Sequence, residues 1–276
     1  MPSWIADALN VDPSWSWGNA AWNGLIKIVF KILKKTPRNF SPDAWAVVTD
    51  TLYPWFLSAG VALLNLFFFI GFVRQNTNLR DNITIETWIE GFIKVIIANA
   101  VMQEGLTLVN DFFTLQVAAT RFALGRNVLR LSAPEVDCGS ILFSIFCGLI
   151  YFIIAVVCGI MVLLAVMKRF LYVMVSVVVA PVAICTIAGG RGLENTAHAW
   201  IKTFLTYCFQ FVMIAVILRL GTLMGSNLPD FLQSQRGLGE IFDGFVLCLN
   251  NLVCMLFMTT AIRGTDNLTE KMFGLR

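Results

Sequence analysis

Charge is what this chain has least of. Only 13% of its 276 residues are Asp, Glu, Lys or Arg, where ordinary soluble domains carry roughly a quarter. With 58% hydrophobic residues and 23 phenylalanines, the apolar surface exceeds what a soluble core of this size absorbs. The net charge of +3 is too small to argue for nucleic acid by itself. Histidine is nearly absent. The single His198 excludes a His-Glu-x-x-His zinc site, leaves any Ser-His-Asp triad resting on one position, and reads as a polar loop residue. No Gly-x-x-x-x-Gly-Lys-Ser/Thr phosphate loop occurs. Gly189-Gly190-Arg191-Gly192 has the glycines but neither the lysine nor a preceding strand. The seven cysteines include no Cys-x-x-Cys pair, so no zinc knuckle or redox pair is indicated, and they read as small packing residues. No enzyme activity, cofactor or metal is expected. No basic region precedes an apolar run at the amino terminus, so no cleavable signal peptide is expected either.

Long apolar runs are abundant instead. From Gly139 to Met167, 29 residues carry no charge; Lys168-Arg169 follows; then 21 more are uncharged from Phe170 to Gly190. About 18 apolar residues suffice to cross the hydrocarbon core as a helix, so this stretch belongs in a bilayer. Two geometries fit. A tight reversal at Lys168-Arg169 makes a hairpin of two spans, 139–167 and 170–190, and is favoured. One continuous helix from Gly139 to Ala180 is the alternative, roughly 63 Å long and about twice the hydrocarbon thickness. Ser144, Gly148, Ala155 and Gly159 share one face, and Gly221 and Gly225 make a small-x-x-x-small step. Small residues let membrane helices approach closely.

The first 40 residues hold Trp4, Trp15, Trp17 and Trp22, and residues 20–35 read as a two-faced helix. Trp22, Leu25, Ile26, Val29, Phe30 and Leu33 oppose Lys27, Lys31, Lys34 and Lys35. A basic face opposite an aromatic one describes a helix lying among headgroups; packing on the rest of the protein is the other reading. Residues 1–40 are therefore expected to be an interfacial segment and 41–276 a single transmembrane domain. Its spans fall near 51–73, 92–118, 139–167, 170–190, 203–225 and 244–262, five or six in all depending on the second. The fold class is an all-α polytopic bundle.

That second segment, 88–124, is expected as one helix opened by the capping box Thr87-Trp88-Ile89-Glu90. Ile89, Phe92, Ile93, Ile96, Ile97, Ala100 and Val101 form an apolar face. Asn99, Gln103, Thr107, Asn110 and Thr114 recur at helical spacing, with Glu104 and Asp111 beside them. Such a stripe at lipid depth should turn from lipid toward other helices, a subunit interface or water; an amphipathic helix on the membrane surface is equally compatible. Arg219, late in the next-to-last apolar run, is expected to snorkel. Excess Lys and Arg on one side place Lys168-Arg169 outside and the carboxyl tail in the cytoplasm.

Two long apolar runs, Ala180-Pro181-Val182-Ala183-Ile184, a glycine-rich polar loop, and Ala199-Trp200-Ile201-Lys202-Thr203-Phe204 opening the next span resemble the TrbL-like family. These are polytopic inner-membrane subunits of conjugative type IV secretion machines. The likeness covers about 139–225 in detail and the whole chain in layout. It implies a bacterial cytoplasmic-membrane protein, present as a homo-oligomer among other secretion subunits, that helps form or scaffold a passage for single-stranded DNA or protein. Separate ATPases would supply the energy, which agrees with the missing phosphate loop. A secondary transporter or small-ion channel is the rival function, and a membrane scaffold without a passage a third. The residues themselves nominate Asn99 to Thr114 as the polar wall.

Overall fold

A computed structural model describes residues 13–77, 85–125, 141–190, 192–233 and 243–275. All regular structure among them is helical: α1 (Pro13–Leu33), α2 (Pro37–Phe40), α3 (Pro42–Ala46), a π-helical turn (Val47–Leu52), α4 (Tyr53–Thr77), α5 (Ile85–Gln103), α6 (Gly105–Leu124), α7 (Ile141–Ile184), a 3-10 helix (Cys185–Gly189), α8 (Glu194–Gln233) and α9 (Asp243–Met272). Three stretches are long and apolar enough to cross a membrane, Pro42–Val73, Phe146–Gly189 and Glu194–Met224; α5 and α6 together make a fourth if their bent pair counts as one. This is consistent with a multi-pass membrane protein.

The expected hairpin at Lys168-Arg169 is not formed. α7 runs unbroken for 44 residues, about 66 Å at 1.5 Å per residue, so two expected spans are one helix. The reason is local. Val166 to Leu171 holds no glycine, proline or asparagine to reverse the chain, and the two cations are accommodated on the helix. The Lys168 ammonium lies 5.1 Å from the centre of the Tyr172 ring, and Arg169 is only 2% exposed. Pro181 sits within the last turn, after which the helix tightens to 3-10. Gly190 and Gly192, at φ +73° and +100°, then supply left-handed conformations that L-residues with a Cβ avoid, and α8 begins.

The helices sort into two compact units. The first gathers α1, α6 from Ala119, α7 to Met167, and α8 and α9 between Val212 and Asp266. Here α1 and α7 pack side by side with the same direction. A Cβ on Gly18 would come within 2.5 Å of the Tyr151 ring, and one on Gly159 within 2.5 Å of Leu25. The Tyr151 hydroxyl donates to Asn19. Trp22, Ile26, Val29, Phe30 and Leu33 are all buried. The apolar face of α1 is thus covered by the protein itself, not by headgroups, which corrects the interfacial reading of that face. α8 and α9 meet at Gly221, where a Cβ would sit 3.0 Å from Met258.

The second unit holds α2 to α6 as far as Ala118, α7 from Lys168 with the 3-10 helix, α8 to Phe211, and the end of α9. Gly60 and Gly71 let α4 lie against the end of α7. A Cβ on Gly60 would be 3.0 Å from the Pro181 backbone, and one on Gly71 would be 2.9 Å from the Ala188 carbonyl. Leu64, Ala98, Met102, Ala180, Ile184, Cys185 and Ala188 form the core there. Phe170 is held between Phe40, stacked at 4.4 Å, and Phe211 at 4.7 Å.

The π turn has a visible cause and effect. Pro54 has no N–H and would crowd the carbonyl four residues back; the widened turn ends just before it. Trp45, Val48 and Tyr53 are buried while Thr51 and Leu52 are exposed. The five-residue step from Val48 to Tyr53 is the π register, and it swings Tyr53 inward.

Candidate functional site

The polar stripe lies on a broken helix. α5 and α6 meet at 63° across Glu104, so the expected single helix over 88–124 is overturned. α5 also starts at Ile85, ahead of the expected capping box. Ala98 and Met102 are buried, whereas Ile89, Phe92, Ile93, Ile96 and Ile97 are exposed. The apolar face read from the sequence is thus mostly the outer face of α5, and the buried residues of that helix are Ala98 and Met102.

One side chain, Tyr53, and the absence of one at Gly105 define the break. Met102 lies in the last turn of α5, where the final carbonyls of a helix have no intrahelical N–H. The Tyr53 hydroxyl donates to the Met102 carbonyl at 2.7 Å. Gly105 opens α6 beneath that hydroxyl, and a Cβ there would sit 2.5 Å from the Tyr53 oxygen. The Glu104 N–H still bonds the Ala100 carbonyl at 2.9 Å and its own carbonyl accepts from Leu108 at 3.1 Å, so the backbone turns without losing those bonds. α6 is anchored by Phe113, edge-on to Trp45 at 5.8 Å and 6.2 Å from Phe204. Tyr53 and Gly105 were missed in the sequence. The only local signal was Pro54, which disturbs the helix one residue after Tyr53.

The break divides the stripe. Asn99 and Gln103 stay on α5, joined by a Gln103 amide donating to the Asn99 side-chain oxygen at 3.3 Å. Glu104 occupies the bend. Thr107, Asn110, Asp111 and Thr114 ride on α6, with the Thr114 hydroxyl donating to the Asn110 carbonyl at 3.0 Å. Glu104, whose carbonyl accepts from the Leu108 N–H, opens α6 seven residues before Asp111. Gln103, Glu104, Thr107, Asp111 and Thr114 are exposed, and Asn99 and Asn110 half-buried. The stripe is not turned into the core of this chain. The inward polar residues of α6 are Gln116 and Thr120, 5% and 0% exposed, whose side chains find no hydrogen bond among the described residues.

The other nominated residues scatter. Gly148, Ala155, Gly159 and Gly221 are buried. The surroundings of Ser144, Gly225 and Trp15, and all of Trp4, lie outside the described residues. Trp17 is exposed, as are Lys27, Lys31 and Lys35, with Lys34 half-buried. The Trp200 indole donates to the Ser176 carbonyl at 3.0 Å and stacks on Phe204 at 5.5 Å, so the Trp of the Trp-x-Lys step is an anchor between α8 and α7. Lys202 is exposed beside it. The exposed Arg219 turns its guanidinium to the Phe122 and Ala123 carbonyls at 3.5 and 3.4 Å, at the end of α6. No group of three or more His, Cys, Asp or Glu suited to a metal occurs among the described residues. Compared with family models, curated proteins and solved structures, the chain matches none.

Proposed function

We propose that this protein is an integral cytoplasmic-membrane component of a conjugative type IV secretion machine, present in several copies that together form or scaffold a passage for single-stranded DNA or protein. The observation that carries the reading is the exposure of Gln103, Glu104, Thr107, Asp111 and Thr114 on the outside of the bent pair α5–α6. Carboxylates at membrane depth are costly against lipid and are found facing a bundle interior or water. A stripe that its own chain leaves uncovered calls for a second copy or a hydrated wall, and a ring of copies supplies both. The resemblance over 139–225 supports the same assignment, and the lack of a phosphate loop leaves the energy to separate ATPases.

Cysteine scanning along 99–114 in native membranes tests it. Water-soluble maleimide should label Gln103→Cys, Thr107→Cys and Asp111→Cys, and oxidation should cross-link copies through these positions. Glu104→Lys and Asp111→Lys should abolish conjugal transfer. Unreactive positions together with unchanged transfer in the reversals would sink the proposal.

One observation favours a second reading. Helices broken near their middle are typical of secondary transporters, whose half-helix ends hold ions or substrates, and α5–α6 is broken in that manner. Ion or solute uptake by proteoliposomes of the purified chain, with normal transfer in its deletion strain, would select the transporter.

A further inference from the structure

We propose that the carboxyl-terminal ends of α1 and α6 form a binding site for the phosphate-bearing headgroup of an anionic phospholipid. Lys27, Lys31 and Lys34 recur at intervals of four and three along α1, which places them on one strip of the helix. Lys27 and Lys31 are exposed and Lys34 half-buried. From the last turn of α6, Arg121 reaches across to the end of α1, its Nη2 donating to the Lys34 carbonyl at 3.4 Å. One residue later the Phe122 and Ala123 carbonyls receive Nη1 of Arg219. Gly125, at φ +65°, terminates the path of α6, and even a Cβ there would lie within 3.7 Å of the Arg219 guanidinium carbon.

This arrangement does more than cap two helices. A helix carboxyl terminus carries partial negative charge that orients a guanidinium. Each guanidinium has five N–H donors in a planar fork, and the carbonyl contacts occupy one nitrogen of each. The rest of each fork is held in place, on an exposed residue, in the geometry that phosphate oxygens match. Among the described residues none of the five cations meets a carboxylate. Five positive charges that meet no carboxylate among the described residues, on a chain whose net charge is +3, suit an anion from outside.

The surroundings select lipid over other phosphates. Trp17 and Ile28 are 59% and 46% exposed and lie about 80–100° around α1 from Lys27 at 100° per residue. Exposed aromatic and aliphatic side chains beside a lysine strip suit the boundary between headgroups and acyl chains. The buried face of α1 binds protein; its outer arc binds lipid. The site depends only on the chain being in a membrane and is independent of the secretion reading.

The test is native mass spectrometry of the intact detergent-purified chain with tetraoleoyl cardiolipin, against dioleoyl phosphatidylcholine. Cardiolipin adducts should dominate. Arg121→Gln, Arg219→Gln and Lys27→Gln should each weaken them by about fivefold, the worth of one cation near an anionic surface, while Lys202→Gln leaves them unchanged. Equal retention of the two lipids, or an equal loss in Lys202→Gln, overturns the site. So does displacement of cardiolipin by inorganic phosphate or a single-stranded oligonucleotide at the same phosphate concentration, which would assign the patch to those anions. If the arginine variants lose helical circular dichroism, Lys27→Gln and Lys31→Gln, which change exposed side chains, decide the matter alone.

Discussion

The Tyr53 hydroxyl bonds the Met102 carbonyl at 2.7 Å and stands 2.5 Å from where a Cβ on Gly105 would be. One side chain from α4 thus satisfies the open end of α5 and occupies the space that only a glycine at the start of α6 leaves free. The bend that displays the polar stripe is therefore fixed by a contact between helices distant in sequence.

A double-mutant cycle checks this. Tyr53→Phe leaves the buried carbonyl without its partner and should cost about 1–3 kcal/mol. Gly105→Ala should be more harmful with Tyr53 present than in the Tyr53→Phe background, where the oxygen in the way is gone. Coupling of about 0.5–3 kcal/mol, read from denaturant unfolding in detergent, is the expected outcome; additive effects would show that the two residues do not meet.

Two glycines should answer to alanine with opposite signs. At Gly60 the added methyl would lie 3.0 Å from the Pro181 backbone, so α4 must shift from α7 and the melting temperature should fall. At Gly24 nothing lies within 4 Å, and a helix interior gains up to about 1 kcal/mol from glycine to alanine. A rise for Gly24→Ala beside a fall for Gly60→Ala is the measurement to make.

The continuity of α7 has a spectroscopic signature. Val157 and Val179 are both exposed on it and 22 residues apart, so spin labels there should read about 33 Å plus linker length. A reversal at Lys168-Arg169 would bring the same pair within roughly 10 Å, the separation of packed helices. Pulsed dipolar spectroscopy distinguishes the two.

Trp22 and Trp17 separate protein packing from membrane contact on α1. Trp22 is fully buried and Trp17 is 59% exposed. Trp22→Ala should destabilise by about 3–5 kcal/mol, as for large core aromatics, with little effect from Trp17→Ala. In brominated-lipid vesicles, Trp17 fluorescence should be quenched and Trp22 fluorescence spared. The reverse pattern would restore the headgroup-buried face.

Much of the architecture was legible because it follows from composition and period. Uncharged runs longer than 18 residues declare membrane helices whatever surrounds them, and the two-faced pattern of residues 20–35 declares α1. Spacing alone could also find the residues of the polar stripe. What periodicity does not carry is the partner of a face. The apolar side of α1 suits lipid or protein equally in sequence, and Gly159 and Tyr151 on α7 decide for protein. The apolar side of α5 invites a place in the core, yet Ala98 and Met102 take that place, in a cluster with Ala180, Ile184, Cys185 and Ala188 at the end of α7.

The chain by itself settled that it is helical, apolar and without a phosphate loop, since those are properties of residue types and their order. Only the tertiary structure decided that 141–184 is one helix and that 85–124 is two. A charged pair or a lone glycine becomes a turn, or fails to, according to what packs against it: Tyr172 and the buried surroundings keep Lys168 and Arg169 on one continuous helix, while Tyr53, 52 residues away from Gly105, bends another.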